Sequence, residues 1–212
     1  MPGIGDDIRK VINNLCTEIK YPERDDVVEF IDYESNTQAT KPQTAEHFLL
    51  TTFVNDSIVE AGDLVNFVTS GTHYRVMNVF NETFENLVIY KQCILYKCNV
   101  VIDVYVPEFS RDPITLVASE KFRKREDAQG VIAMMIDKLY GTRLDDEEQD
   151  LIQQDIKGRV LYYPKNRPIS PKDRVIIAGE ELPYEVTSIE GHTFPGMNVV
   201  YLEEDTRSME YI

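Results

Sequence analysis

Apolar residues follow two different spacings along this chain, and each change of spacing marks a predicted element. From Ile8 to Ile19 they recur every three or four positions, after acidic residues that favour the start of a helix. This spacing predicts an amphipathic N-terminal helix. The next segment holds one short strand candidate, Val27 to Tyr33, followed by a polar arm.

The chain changes to a β-pattern at Phe48. Short runs rich in Val, Ile, Tyr, Phe and Thr alternate with turn residues as far as Val106. These runs are FLLTTFV, DLVNFV, HYRVMNV, NLVIY and CILYKCNVVIDVYV. Five short strands at this spacing predict a small β-barrel.

A helical spacing returns in the segment 107–158. Apolar residues from Ala128 to Leu139 step by three and four, and Gly141 follows as a C-terminal cap. A second helix is predicted to start at Asp145, where a glutamate three residues on completes a capping box. From Arg159 strand patterns resume, with prolines between or at the start of them, where a missing amide donor costs no ladder bond.

These elements predict an α+β fold that is mainly β. It consists of two small barrel units, SH3-like or OB-like, joined by a helical segment and preceded by a helix. The predicted boundaries are 1–45 for the N-terminal helix and arm, 46–106 for the first barrel, 107–158 for the helical connection, and 159–212 for the second barrel with its C-terminal tail.

The two β regions repeat one another at a distance of 110 residues. Without a gap, Asp63, Val65, Tyr74 and Val76 correspond to Asp173, Val175, Tyr184 and Val186. In both copies a polar residue, Asn78 or Ser188, delays the next apolar residue by one position. We therefore predict the same hairpin twice, with a β-bulge at the same point in each copy. The alternative is that any two β-meanders would align this well.

Turn chemistry supports the hairpin in both copies. Gly71 and Gly179 lie between the paired runs and can adopt the positive φ that tight turns often need. Each repeat tyrosine is expected to bury its ring while its hydroxyl reaches a polar partner at the rim.

The net charge narrows the possible functions. The chain has 37 acidic and 22 basic residues, a formal net charge of -15. Such a charge repels a polyanion, so binding to a nucleic-acid backbone is disfavoured as the main task. Two interpretations stay open: the charge keeps the protein soluble, or it lines a surface past which DNA slides.

No catalytic or metal-binding motif is evident. The three cysteines are an odd number, the chain opens without an apolar signal core, and Cys93 and Cys98 lack a second pair with zinc spacing. Phosphate loops, zinc-protease motifs and nucleophile elbows are absent from the sequence, and the acidic run Asp145–Glu148 suits a helix start. We predict no enzyme, no cofactor and no metal. The longest apolar run is too short and too polar to cross a membrane.

Three stretches carry a family resemblance: EAGDLVNFVTSGTHYRVMNV, YKCN and PISPKDRVIIAGEELPYEVTSIEGHTFPGMNVVYLEED. They resemble the head closure, or stopper, proteins of tailed bacteriophages. In that family a small β-barrel carries a hairpin of this kind, and some members have two such units in one chain. The resemblance covers about residues 46–100 and 159–205. The segment from about 110 to 157 does not contribute to it.

The resemblance implies a structural protein of the virion. Identical subunits would form a ring in the neck, or head-tail connector, beneath the portal or adaptor protein, after synthesis in the bacterial cytoplasm. The ring would retain packaged double-stranded DNA, which passes through its lumen without specific binding. It would also offer a docking face to the tail tube or tail terminator proteins. The resemblance implies no contact with a membrane.

Contacts between subunits are predicted at the hairpin turns and at the C-terminal tail. The candidate residues are Thr69, Ser70, Gly71, Gly179, Glu180, Glu181, Glu203, Glu204 and Asp205. Strands and tails of this kind can add to the sheet edge of a neighbour. We expect the arm from Asn36 to His47 and the tail from Glu203 to Ile212 to become ordered only in the ring.

Two other functions remain open. One is a baseplate or tail-end ring of the same virion. The other is an OB-type nucleic-acid-binding module, which needs aromatic residues interleaved with basic ones on one sheet face. Tyr162 and Tyr163, close to Lys165 and Arg167, come nearest to that pattern.

Overall fold

The computed structural model describes residues 7–8, 10–11, 16–35, 48–111, 118–136 and 159–207. Within these residues the protein is mainly β, as predicted, with a single 3-10 turn at Glu126–Ala128. The strands are β1 (Thr17–Tyr21), β2 (Val27–Ser35), β3 (Phe48–Val54), β4 (Leu64–Phe67), β5 (His73–Phe84), β6 (Leu87–Lys97), β7 (Val100–Arg111), β8 (Ala118–Lys124), β9 (Val131–Ile136), β10 (Arg159–Pro164), β11 (Arg174–Ile177), β12 (Tyr184–Glu190) and β13 (Met197–Glu204).

The chain divides into two compact units. The first comprises Met1–Cys98 and His192–Met197, and the second Asn99–Gly191 and Asn198–Ile212. Each unit has a hydrophobic core of its own. The predicted pair of small barrels is therefore confirmed, and each barrel has six strands.

The first barrel closes in the order β1-β2-β3-β6-β5-β4, with β4 pairing back onto β1. Ile19 lies opposite Phe67 at that closing pair. From Leu49 onward, buried residues alternate with half-buried ones along β3. One face of this strand therefore points into the barrel and the other points away from it. The core residues are Ile19, Tyr21, Ile31, Leu49, Phe53, Val59, Val65, Phe67, Tyr74, Val76, Cys93 and Leu95.

The second barrel follows the same plan in the order β7-β9-β10-β13-β12-β11. It closes where β11 pairs with β7, with Ile177 opposite Ile102. Strand β8 pairs with the distal half of β7 and ends the sheet. The core residues are Ile102, Val104, Ala128, Val131, Ala133, Met135, Leu161, Tyr163, Val175, Ile177, Tyr184, Val186, Val200 and Leu202.

The repeat is visible in the strand register. Val65 pairs with Tyr74 in the first barrel, and Val175 pairs with Tyr184 in the second. The register shifts after Val76 in the β5–β6 pair and after Val186 in the β12–β13 pair. The predicted bulge therefore lies at the same point in both copies.

Backbone hydrogen bonds ahead of the hairpin also repeat. The amide of Val76 donates to the carbonyl of Asp63 at 2.9 Å, and the amide of Val186 donates to the carbonyl of Asp173 at 2.9 Å. Because bonds at matching positions have matching lengths, the two barrels are two copies of one folding unit.

An insertion distinguishes the second copy. In the first barrel the amide of Arg24 donates to the carbonyl of Tyr21 at 3.0 Å, which closes a short turn after β1. In the second barrel the amide of Arg125 donates to the carbonyl of Val104 at 3.0 Å. The chain between these two residues leaves the barrel along β7 and returns along β8. The outer part of this strand pair is thus an addition to the shared barrel plan.

The helix predictions fail at Ile19 and in the connecting segment. Residues 7–8 and 10–11 are helical, but Ile19, at the end of the predicted N-terminal helix, belongs to β1. The described part of the predicted connecting segment 107–158 contains β8 and β9 instead of a helix. Five of the six residues Val131–Ile136 are buried, so this strand is shielded from solvent on both faces. Such a strand is a continuous apolar run, in which a helical spacing can always be found. The arm Asn36–His47 and residues 137–158, with the second predicted helix, lie outside the described residues.

Candidate functional site

The repeat aspartate of the first barrel organises the turn before β4. The carboxylate of Asp63 accepts a hydrogen bond from the amide of Glu60 at 2.8 Å. Arg24 lies 2.8 Å from the same carboxylate. Asp63 thus joins the turn after β1 to the turn before β4.

The second barrel repeats this arrangement. The carboxylate of Asp173 accepts from the amide of Ser170 at 2.8 Å, and Arg125 lies 3.0 Å away. In both barrels burial raises the pKa of the aspartate, and the amide hydrogen bond and the arginine offset that rise only in part. The two aspartates are therefore structural groups that hold loops together.

The repeat tyrosines occupy the same register but differ at their hydroxyls. The Tyr184 hydroxyl donates to Glu180 at 2.8 Å, and Arg159 binds the same carboxylate at 2.7 Å. Burial and this hydrogen bond raise the pKa of Tyr184 to about 12. The ring of Tyr74 packs on Phe67 with centroids 4.7 Å apart, and burial raises its pKa too. Both rings are buried, so neither is available to a ligand.

The other repeat residues belong to the cores. Val65, Val76, Val175 and Val186 are fully buried. The structure brings the eight repeat residues together as two folding motifs, one in each barrel. They do not form a binding or catalytic site.

Most of the candidate contact residues are accessible. Thr69, Ser70, Gly71, Gly179, Glu181, Glu203 and Glu204 are exposed. Both glycines have positive φ, 66° for Gly71 and 88° for Gly179. Glu180 differs, because it already binds Arg159 and Tyr184.

Asp205 is buried, contrary to its predicted place on the surface. Arg174 lies 2.7 Å from its carboxylate, neither side chain of this pair is exposed, and Arg207 lies 2.8 Å from the same group. The Arg174 guanidinium stacks on Phe122 at 3.5 Å. Burial acts to raise the pKa of Asp205, but the hydrogen bonds from the two arginines outweigh it and hold the pKa well below its usual range.

This cluster fixes the start of the tail. Arg207 also reaches Glu120 at 3.1 Å and Glu185 at 3.3 Å. In a single chain the tail is therefore held as far as Arg207, so the expectation that it orders only in a ring is wrong for this part. Residues 208–212 lie outside the described structure.

One pair of strands projects beyond the first barrel. Strand β4 pairs with β5 only up to Arg75, and β3 pairs with β6 only back to Tyr90. We call residues 80–90 the first arm. At its tip Phe84 lies opposite Leu87, with 51% and 70% of these residues exposed. Glu85 and Asn86 between them both have positive φ, as in a type I′ turn.

A second pair of strands projects from the second barrel. We call residues 105–111 and 118–124 the second arm. Phe109 on this arm is 70% exposed. A groove of about 440 Å³ runs along its base, lined by Val106, Arg123, Lys124, Arg125 and Glu126. The sequence predicted neither arm, although Glu85-Asn86 between two apolar runs is a recognisable turn signal.

The described part of the chain offers few groups that could act in catalysis or bind a metal ion. A second cavity, of about 120 Å³, is lined by Asp32, Tyr33, Leu50, Thr52 and Gln92. Among the described residues that line the two cavities there is no cysteine or histidine. The three cysteines are free, and no group of three or more potential ligands could hold a metal ion among the residues that are described. Over the same residues no helix has the length and apolar character needed to span a bilayer.

The aromatic pattern expected of a nucleic-acid-binding face is not on the surface. Tyr162 and Tyr163 are 4% and 0% exposed. Both side chains are buried, so their rings cannot stack on bases.

Comparisons of the chain with protein-family models, with curated proteins and with solved structures found no match. Among the described residues, the two repeat aspartates are engaged within their own barrels, and the two most exposed apolar residues, Leu87 and Phe109, lie on the two arms.

Proposed function

We propose that this chain is a structural protein that assembles with identical copies into a ring. The chain contains two equivalent barrels, and the repeat aspartate of each is used within its own barrel. The observation that carries the proposal is the exposure of Phe84, Leu87 and Phe109 on arms beyond the barrels. Apolar groups presented this way are typical of surfaces that a partner covers.

Within that class, the particular role we propose is head closure in the neck of a tailed bacteriophage. The resemblance of residues 46–100 and 159–205 to stopper proteins supports this role, as do the two barrels in one chain. The ring would lie beneath the portal or adaptor protein and provide the attachment face for tail tube or tail terminator proteins. The subunits would be made in the cytoplasm of the bacterial host.

The charge of the chain suits this role. A net charge of -15 gives a lumen that repels phosphate, so DNA could slide through it without being held. The proposal needs no catalytic step, no cofactor and no membrane.

The test is to inactivate the gene in the genome that encodes the chain. We expect heads that package DNA, lose it and remain tailless, beside complete free tails, and a plasmid copy of the gene should restore infectious particles. Tailless heads that keep their DNA would contradict head closure. If the tails were also incomplete, that result would place the protein at the baseplate or tail end.

A further inference from the structure

The first arm is acidic and apolar. Between residues 80 and 90 it has two acidic residues, Glu82 and Glu85, and no basic one. Phe80 is 44% exposed, and the exposed Phe84 and Leu87 face each other at the tip. A partner for this arm must offer positive charge beside an apolar surface.

The second arm has the complementary character. Lys121, Arg123 and Lys124 lie on β8, and Phe109 is an exposed apolar residue on the β7 strand of this arm. Lys121 and Arg123 are two residues apart and so lie on one face of the strand. Arg123 pairs with Glu108 at 2.6 Å, but both side chains are largely exposed and stay open to a partner.

Both arms have free strand edges among the described residues. Strand β8 ends its sheet and pairs only with β7. On the outer edge of β5, pairing with β4 stops at Arg75. Basic residues on a free edge discourage pairing with most strands and favour an acidic one.

We propose that the first arm of one subunit docks on the second arm of the next subunit. Glu82 and Glu85 would meet the basic residues of β8, and the exposed Phe84, Leu87 and Phe109 would be covered. This inference rests on the proposed ring and names its subunit contact. The two arms are different surfaces of one chain, so the contact is head-to-tail and can close into a ring.

Charge argues for this pairing over a symmetric dimer. A two-fold contact through the first arm would bring glutamates together, and one through the second arm would bring lysines and arginines together. Like charges at a contact disfavour association. The second arm also has two glutamates, Glu108 and Glu120, but they already bind Arg123 and Arg207. The contact between unlike arms is the one that gives the glutamates of the first arm basic partners.

Charge reversal on the full-length chain tests the contact. Glu82→Lys with Glu85→Lys reverses the first arm, and Lys121→Glu with Arg123→Glu reverses one face of the second. Sedimentation velocity over a range of concentrations, at low salt, would measure self-association. We expect each double variant to associate at least about ten-fold more weakly than the unchanged chain. Circular dichroism and urea unfolding would confirm that both variants fold.

Two rescue experiments make the test specific. Mixing the two double variants should restore association, because each now complements the other. One chain with all four substitutions should also associate with itself again. Failure of both rescues, or association unaffected by either reversal, would overturn the arm contact.

The outcomes separate this contact from the proposed function. Rings that form normally with reversed arms would remove the contact but leave the ring proposal intact. An unchanged chain that stays monomeric at every concentration would overturn self-docking of the arms. If the monomeric chain bound a portal or tail protein, and charge reversal on an arm weakened that binding, the arms would be docking surfaces for that partner instead. DNA loss in the gene-inactivated phage is scored independently of all these results.

Discussion

Gly62 and Lys172 occupy equivalent positions in the two barrels, but the backbone conformation at this position strains lysine more than glycine. The Gly62 amide donates to the carbonyl of Val76 at 2.7 Å, and the Lys172 amide donates to that of Val186 at 2.7 Å. Their φ values are 98° and 72°. A residue with a side chain is strained in this left-handed region by about 1 kcal/mol or more. The second copy therefore uses a less favourable residue at a position where the first has glycine.

We predict that Lys172→Gly raises the free energy of unfolding. The gain should be about 0.5 to 1 kcal/mol, because relief of strain exceeds the added freedom of the unfolded chain. Urea denaturation would measure it. Lys172→Ala is the matched control: it removes the long side chain, keeps Cβ and should give no such gain. Equal effects of the two substitutions would show that strain is not the cause.

The buried carboxylate of Asp205 predicts how the unfolding free energy changes as the pH falls. Removing one partner of its buried pair with Arg174 by Asp205→Asn should cost about 3 kcal/mol of unfolding free energy at pH 7. The folded state lowers the pKa of Asp205, so its stabilisation is present above the ordinary aspartate pKa of about 4 and is lost as pH falls below it.

The unchanged chain should therefore lose stability more steeply than Asp205→Asn between about pH 5 and pH 3. Urea denaturation at a series of pH values would show this. Glu204→Gln, at the exposed neighbouring residue, is the control and should leave both stability and slope nearly unchanged. Parallel pH profiles for the unchanged chain and Asp205→Asn would contradict the assignment.

Within one strand, the part that forms an arm is exposed, whereas the part that forms the barrel wall is buried. Leu95 on β6 is fully buried, whereas Leu87 on the same strand is 70% exposed. We predict that Phe84→Ser with Leu87→Ser changes the unfolding free energy of the monomer by less than about 0.5 kcal/mol. Leu95→Ala should cost about 2 to 5 kcal/mol. A comparable loss from the double substitution in urea would show that the first arm packs against the barrel.

The sequence predicted those elements whose evidence was local and repeated. Asp63 and Tyr74 matched Asp173 and Tyr184 at one offset, and the delayed apolar residue in each copy indicated the bulge. The strands from Phe48 to Lys97 and from Arg159 onward followed from their composition. These features depend on neighbours along the chain, so a sequence can reveal them.

What the sequence could not predict depends on distant partners. Val131–Ile136 forms a strand because β7 and β10 flank it, and its apolar run fits a helix equally well. Asp205 looked like an exposed tail residue because its partner Arg174 lies 31 residues away. The arms were missed because a hairpin projects only where adjacent strands stop pairing.

At the scale of the whole molecule, the charge predicts weak interaction with DNA. With a net charge of -15 and Tyr162 and Tyr163 buried, we expect no gel shift of single- or double-stranded DNA at near-physiological salt up to about 100 µM protein. A basic DNA-binding domain of similar size is the positive control. A shift that disappears as salt rises would favour a nucleic-acid-binding module.

The duplicated barrel also defines what the assembled particle should contain. If each subunit contributes both barrels to a ring, the ring contains twice as many barrels as subunits. The exposed apolar residues of the two arms should be covered in the ring, because an isolated subunit presents them to water.

Electron cryomicroscopy of a phage particle that encodes this chain tests the proposed head-closure ring. We expect a closed ring of this chain between portal and tail, with two barrels per subunit and a lumen lined mainly by carboxylates. A neck without this chain, or a ring whose lumen is dominated by lysine and arginine, would contradict it.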